Sequence, residues 1–86
     1  MKIEIYTKPT CPYCHSAKEL LLKKSIKFQE HDLTQSPELR NLMIERTSGL
    51  TTVPQIFINN EYLSDCDELY TLENSGKLDL IIEKNK

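Results

Sequence analysis

The chain has no long apolar run, no excess of basic residues and almost no glycine, and each shortage closes a class of function. Nothing approaches the roughly 18 consecutive apolar residues that a membrane span needs. The opening Met1-Lys2-Ile3-Glu4-Ile5-Tyr6-Thr7-Lys8 interleaves charged with apolar residues, so it lacks the apolar stretch of a secretory signal. A cytoplasmic protein without a membrane partner is expected. Eleven Lys and Arg against 13 Asp and Glu leave a net charge of −2, which argues against nucleic acid as the main partner. Two glycines and four prolines, with 38% hydrophobic and 28% charged residues, describe a folded globule rather than a disordered or fibrous chain. Eighty-six residues make one domain, 1–86, with a modest core. Three cysteines, an odd number, are too few for a disulfide-built scaffold, so Cys11, Cys14 and Cys66 require a chemical reading.

Ile3 and Ile5 alternate with Lys2, Glu4 and Tyr6, the period of a half-buried strand ending near Thr7. Pro12 opens a helix whose Cys14, Ala17, Leu20 and Leu21 share one stripe while His15, Glu19 and Lys23 face away. It should end near Ser25, and residues 26–33 read as a short second strand. Ser36 and Pro37 cap and open a second helix with Leu39, Leu42 and Met43 on its stripe, and Gly49 stands where a left-handed terminal residue is expected. Residues 53–58 are the most β-prone run, with Pro54 at its first position or at a sheet edge, and Asn59-Asn60 turn it into Glu61-Tyr62-Leu63. Asp65 and Glu68 have the spacing of a capping box for a third helix that stops at Gly76, with room for a last helix over 78–84. The order β-α-β-α-β-β-α implies a parallel pair joined by a helical crossover, then an antiparallel hairpin.

Cys11-Pro12-Tyr13-Cys14 is the strongest chemical signal. Three helical steps bring two side chains to one side, within reach of the ~5.5–6 Å Cα separation that a disulfide prefers. Cys11 stands at the helix tip, where unpaired N–H groups and the positive dipole end favour a thiolate, with Lys8 near in sequence. Cys11 is the expected nucleophile. Cys14, on the apolar stripe, is the expected resolving thiol, acting after Cys11 has entered a mixed disulfide. Other readings exist. A zinc site would have to recruit two ligands from Cys66, His15 and His31, none of them in a second paired motif. Cys11, Cys14 and His15 match the c-type haem attachment pattern literally, but export and an evident haem pocket are missing. Two core cysteines at helical spacing would leave Cys11 on a Pro-bounded loop end unexplained.

Tyr6-Thr7-Lys8 leading to Cys11-Pro12-Tyr13-Cys14, then Thr52-Val53-Pro54-Gln55-Ile56-Phe57-Ile58, then Cys66-Asp67-Glu68-Leu69, closely resembles the dithiol glutaredoxins, especially the short bacterial type. The resemblance implies an α/β chain with a thioredoxin-like fold, a four-stranded mixed sheet flanked by helices, and a cis peptide before Pro54. It also implies glutathione as reducing co-substrate, no tightly bound cofactor or metal, and a monomer acting on protein disulfides and glutathionylated proteins. The implied glutathione site comprises Lys8, Tyr13, Arg46, Thr52, Val53, Pro54, Cys66 and Asp67. Val53 offers its backbone to an extended tripeptide, and the helix start at Cys66 offers N–H groups to the γ-glutamyl carboxylate. Asp67 suits the ammonium, Lys8 and Arg46 suit the glycyl carboxylate, and Tyr13 suits the approach to the sulfur. Two rivals remain: a redoxin reduced directly by a flavoprotein without glutathione, and a module in which Cys11 and glutathione hold an iron–sulfur cluster between two copies.

Two positions depart from the family pattern. Ser64-Asp65 stands where a Gly-Gly pair is usual, changing backbone freedom and local charge, and Leu50 replaces a basic or polar residue after Gly49. Cys66 is expected to be a small buried residue at a helix start, although an extra thiol there is also open to oxidation or glutathionylation. His15 and His31 are expected to be ordinary surface residues.

Overall fold

The computed structural model describes residues 1–86. In chain order the elements are β1 (Ile3–Thr7), α1 (Pro12–Lys23), β2 (Gln29–Asp32), α2 (Pro37–Arg46), β3 (Gln55–Ile58), β4 (Glu61–Ser64), α3 (Cys66–Asn74) and α4 (Lys77–Asn85). The sheet runs β2-β1-β3-β4, with β1 parallel to β2 and antiparallel to β3, and β3 antiparallel to β4. This is the expected four-stranded mixed sheet, and the additional C-terminal helix is present. No helix is long and apolar enough to cross a membrane.

β1 and β3 are the two interior strands, and alternate residues face opposite layers. Ile3, Ile5, Ile56 and Ile58 join Ala17, Leu20 and Leu21 of α1, Cys66 and Leu69 of α3, and Leu78 and Ile82 of α4 in the larger core. Tyr6 and Phe57 instead pack with Leu33 and with Met43 of α2 in a smaller second core. β1 is therefore buried at all five positions, not half-buried as its alternation suggests. Period two in a strand shows that two faces differ; it does not show that one is wet.

Several boundaries move for identifiable reasons. α1 ends in a Schellman arrangement: Ser25 turns left-handed at φ 58°, and the N–H groups of Ser25 and Ile26 donate to Leu22 and Leu21 carbonyls at 3.0 and 2.9 Å. Ile26 is thereby spent on the helix end, and the second strand shrinks to Gln29–Asp32. α2 closes in the same way with Ser48, at φ 60°, as its left-handed residue, and Gly49 follows one place later with its N–H on the Ile44 carbonyl at 2.8 Å. The Ser36 hydroxyl does not cap α2; it donates to the Glu38 carboxylate. Leu42 is 44% exposed, because α2 presents Met43, with Leu39 and Ile44, to the small core. The hairpin matches expectation, since Asn59 and Asn60 both have positive φ, 48° and 70°, as a tight turn matching strand twist requires.

Candidate active site

Cys11 is the N-cap of α1, in extended conformation at φ −96° and ψ 109°. Its Sγ accepts from the Cys14 backbone N–H at 3.2 Å, so the sulfur itself satisfies one of the orphan donors of the first turn. Its own N–H donates to the Lys8 carbonyl at 3.2 Å, closing the loop that Pro9 and Thr10 form. On the far side the Cys11 Sγ–H points to the Val53 carbonyl oxygen at 3.7 Å. Cys11 is half-buried, whereas Cys14 is fully buried on the apolar stripe. Burial, reinforced by the hydrogen bond and charge of Cys11, pushes the Cys14 thiol up to about 12. The two sulfurs thus stand in different environments: one is partly accessible and the other is fully buried and held protonated.

The Val53–Pro54 peptide is cis, and Pro54 stands directly before β3. Together with Tyr13, Thr52, Asp65, Cys66 and Asp67, these residues line an open cleft of about 100 Å³, with Cys11 at its margin. A cleft this shallow suits an extended chain lying across it rather than a ligand swallowed whole. Its far wall is the start of α3, where Asp65 is the N-cap and its Oδ1 accepts from the Glu68 N–H at 2.8 Å. Cys66 follows at the first position of α3, buried in the larger core, and burial pushes its thiol up. No three His, Cys, Asp or Glu side chains converge in a way that would hold a metal ion.

The fold gathers Tyr13, Thr52, Val53, Pro54, Cys66 and Asp67 from three separate segments into this cleft. Lys8 contributes through its carbonyl, and its side chain is exposed. Arg46 is placed elsewhere: its guanidinium donates to Glu4 at 3.0 and 3.2 Å and to the Tyr6 hydroxyl at 2.9 Å, and it lies 4.0 Å over the Phe57 ring. That pairing, against a Glu4 side chain only 7% exposed, holds the Glu4 carboxyl down at about 2. His31 belongs to the same cluster and is not an ordinary surface residue. Its Nε2 is 2.9 Å from Glu4 Oε2 and its ring stacks at 4.8 Å on Tyr6. His15 is exposed, with Nε2 3.0 Å from the Pro9 carbonyl. Gln55, a polar residue inside the apolar run 53–58 to which the motifs assign no role, is 1% exposed.

Over residues 3–63 the sequence matches the family model described as Glutaredoxin. The chain belongs to the glutaredoxin family. Glutaredoxin 3 of Escherichia coli strain K12 is 51% identical over 81 residues, spanning 94% of this chain and 96% of that protein. A glutaredoxin of Pseudomonas aeruginosa is 46% identical over 80 residues, spanning 93% of this chain and 94% of its own. The solution structure of a Brucella melitensis glutaredoxin superposes with a TM-score of 0.83 at 46% identity, covering 100% of this chain and 92% of that one. This glutaredoxin accordingly has a thioredoxin-like fold and is a thiol–disulfide oxidoreductase. A cysteine pair opening the first helix beside a cis-Pro loop is the arrangement on which such chemistry is built.

Proposed function

We propose that this glutaredoxin uses glutathione to reduce protein disulfides and glutathione mixed disulfides, with Cys11 as nucleophile and Cys14 as resolving thiol. The observation that carries the reading is the unequal setting of the pair: Cys11 caps α1 at the margin of the cleft, and Cys14 lies buried. The Cys11 thiolate attacks the glutathionyl sulfur of a mixed disulfide in line, and the protein thiolate leaves and takes up a proton. Cys11 is now bonded to glutathione. A second glutathione thiolate attacks that glutathionyl sulfur, releasing glutathione disulfide and regenerating the Cys11 thiolate.

With a protein disulfide, the mixed disulfide forms between Cys11 and the substrate, and Cys14 resolves it by attacking Sγ of Cys11. Oxidising Cys11 removes its hydrogen bond and charge, two of the causes that keep the Cys14 proton in place, so Cys14 becomes a better acid at the step that needs its thiolate. The resulting Cys11–Cys14 disulfide is reduced by two glutathione molecules in turn.

Glutathione lies extended across the cleft, its backbone against Val53, its γ-glutamyl carboxylate at the N–H groups opening α3 beside Cys66, and its ammonium toward Asp67. Thr52, Pro54 and Tyr13 form the walls, and Lys8 faces the glycyl carboxylate. Arg46, spent on Glu4, is left out of this contact set. The protein works as a single-domain monomer in the cytoplasm. The decisive experiment is turnover of a small glutathione mixed disulfide with glutathione, NADPH and glutathione reductase. Turnover that requires glutathione supports the reading; reduction by thioredoxin reductase alone overturns it.

A further inference from the structure

The loop carrying Thr52 and Val53 is held from behind by a side-chain relay of two residues, Gln55 and Tyr62, that stand outside the implied glutathione site. Gln55 opens β3 and is 1% exposed, and its side chain turns back toward the loop. Its Nε2 donates to the Thr52 carbonyl at 3.0 Å and lies 3.2 Å from the Thr52 hydroxyl. Its Oε1 accepts from the Tyr62 hydroxyl at 2.8 Å. Tyr62 comes from β4, and its ring is set edge-on to Phe57 at 5.6 Å. Reversing the amide would put its oxygen against the Thr52 carbonyl, two acceptors with no proton between them, so the Thr52 carbonyl determines the orientation. The Tyr62 hydroxyl is kept protonated, since burial, Asp65 and Glu68 all raise its pKa.

Thr52 directly precedes Val53, whose carbonyl faces Cys11 Sγ at 3.7 Å, and both residues line the cleft. Thr52 is itself exposed and belongs to no helix or strand, so its position depends on this brace rather than on a ladder of backbone bonds. We propose that Gln55 and Tyr62 are positioning residues that set the Thr52–Val53 edge against which the glutathione backbone docks. They touch neither the reacting sulfurs nor the tripeptide. The proposal rests on the glutathione reading above, and it predicts a KM effect in place of a kcat effect, because the edge engages the peptide backbone and not the sulfur exchange.

The test uses Gln55→Met, which keeps side-chain volume and removes the hydrogen bonds to Thr52 and Tyr62, and Tyr62→Phe, which removes only the hydroxyl. Gln55→Met leaves polar groups that solvent can reach, as Thr52 is exposed and Tyr62 is 41% exposed, whereas Tyr62→Phe leaves the buried Gln55 Oε1 without its donor. With a glutathione mixed disulfide as varied substrate, each variant should raise KM about fivefold with kcat within about twofold, the size of one or two neutral hydrogen bonds. Unchanged KM in both variants overturns the proposal, as does a fall in kcat alone. A second measurement does not involve glutathione: 15N relaxation on the reduced protein should show the order parameters of Thr52 and Val53 falling in Gln55→Met from the rigid range, ~0.85, toward ~0.6. Unaltered order parameters overturn the brace. If the wild-type protein fails to turn over the mixed disulfide while the order parameters do fall, the glutathione reading is wrong and the brace stands.

Discussion

The Cys14 backbone N–H donates to the Cys11 Sγ at 3.2 Å, so the proposed nucleophile is also the N-cap of the helix that carries its partner. One sulfur therefore has two separable duties. Cys11→Ser retains a strong capping oxygen and should stay within about 0.5 kcal/mol of wild type, whereas Cys11→Ala should lose about 1 kcal/mol. Both should lose all turnover. Urea denaturation beside the coupled assay checks this, and a Cys11→Ala variant as stable as the wild type would show that the sulfur does not cap.

Cys14→Ser should keep turnover of small glutathione mixed disulfides, which a second glutathione can resolve, and lose reduction of protein disulfides that require a dithiol. Parallel assays on the two substrate types measure the split. Equal loss on both would remove the division of labour. The burial of Cys14 and Cys66, each with a raised thiol pKa, further predicts that limiting iodoacetamide at neutral pH alkylates a single thiol per native chain, at Cys11.

Acid stability should depend on Glu4. Its carboxyl is held at about 2 in the folded protein against an ordinary 4.5, chiefly by the hydrogen bonds from Arg46. A depressed carboxylate stabilises the fold fully above its unfolded pKa and loses that contribution as pH falls through the folded one. Stability should therefore decline between about pH 4.5 and pH 2, by up to roughly 3 kcal/mol from this group. Denaturation midpoints across that range should flatten in Glu4→Gln. An identical slope in the variant would assign the acid sensitivity to other carboxylates.

Asp65 lines the cleft while its Oδ1 occupies the Glu68 N–H at 2.8 Å, so a fixed negative charge and a used donor stand where a substrate carboxylate is proposed to bind. Asp65→Asn keeps the cap and removes the charge, and should lower the KM for glutathione severalfold with little change in stability. Asp65→Gly should lower KM similarly and cost up to ~1 kcal/mol through the weakened cap. An unchanged KM in both would show that this carboxylate does not sense the ligand.

Helix starts and the redox motif were legible because they are local. Pro12 at the first helical turn, Asp65 three residues before Glu68, and Asn59-Asn60 between two β-prone runs act through bonds to near neighbours, so a short stretch of sequence holds all the information. The stripe of Cys14, Ala17, Leu20 and Leu21 is buried as its spacing requires. The end of α1 near Ser25 was legible, whereas α2 turns left-handed at Ser48, one place before the glycine that announces it.

By itself the sequence determined the order of elements, the placement of a cysteine pair at a helix tip, and the family resemblance in three motifs. Tertiary packing decided which long-range neighbours those residues meet. Glu4 alternates with isoleucines as a surface residue would, yet α2 covers its face of the sheet and brings Arg46, 42 positions away in sequence, onto its carboxylate. Once that pairing forms, leaving either charge buried alone would be costly, and Arg46 is committed away from the cleft. Gln55 likewise reads as one polar interruption in a strand; only the pairing of β3 with β4 and the turn of the loop before it give its amide Tyr62 on one side and Thr52 on the other. Local propensity sets backbone conformation over a few residues, whereas the partner of a buried polar side chain depends on which segments the sheet and its helices bring into contact.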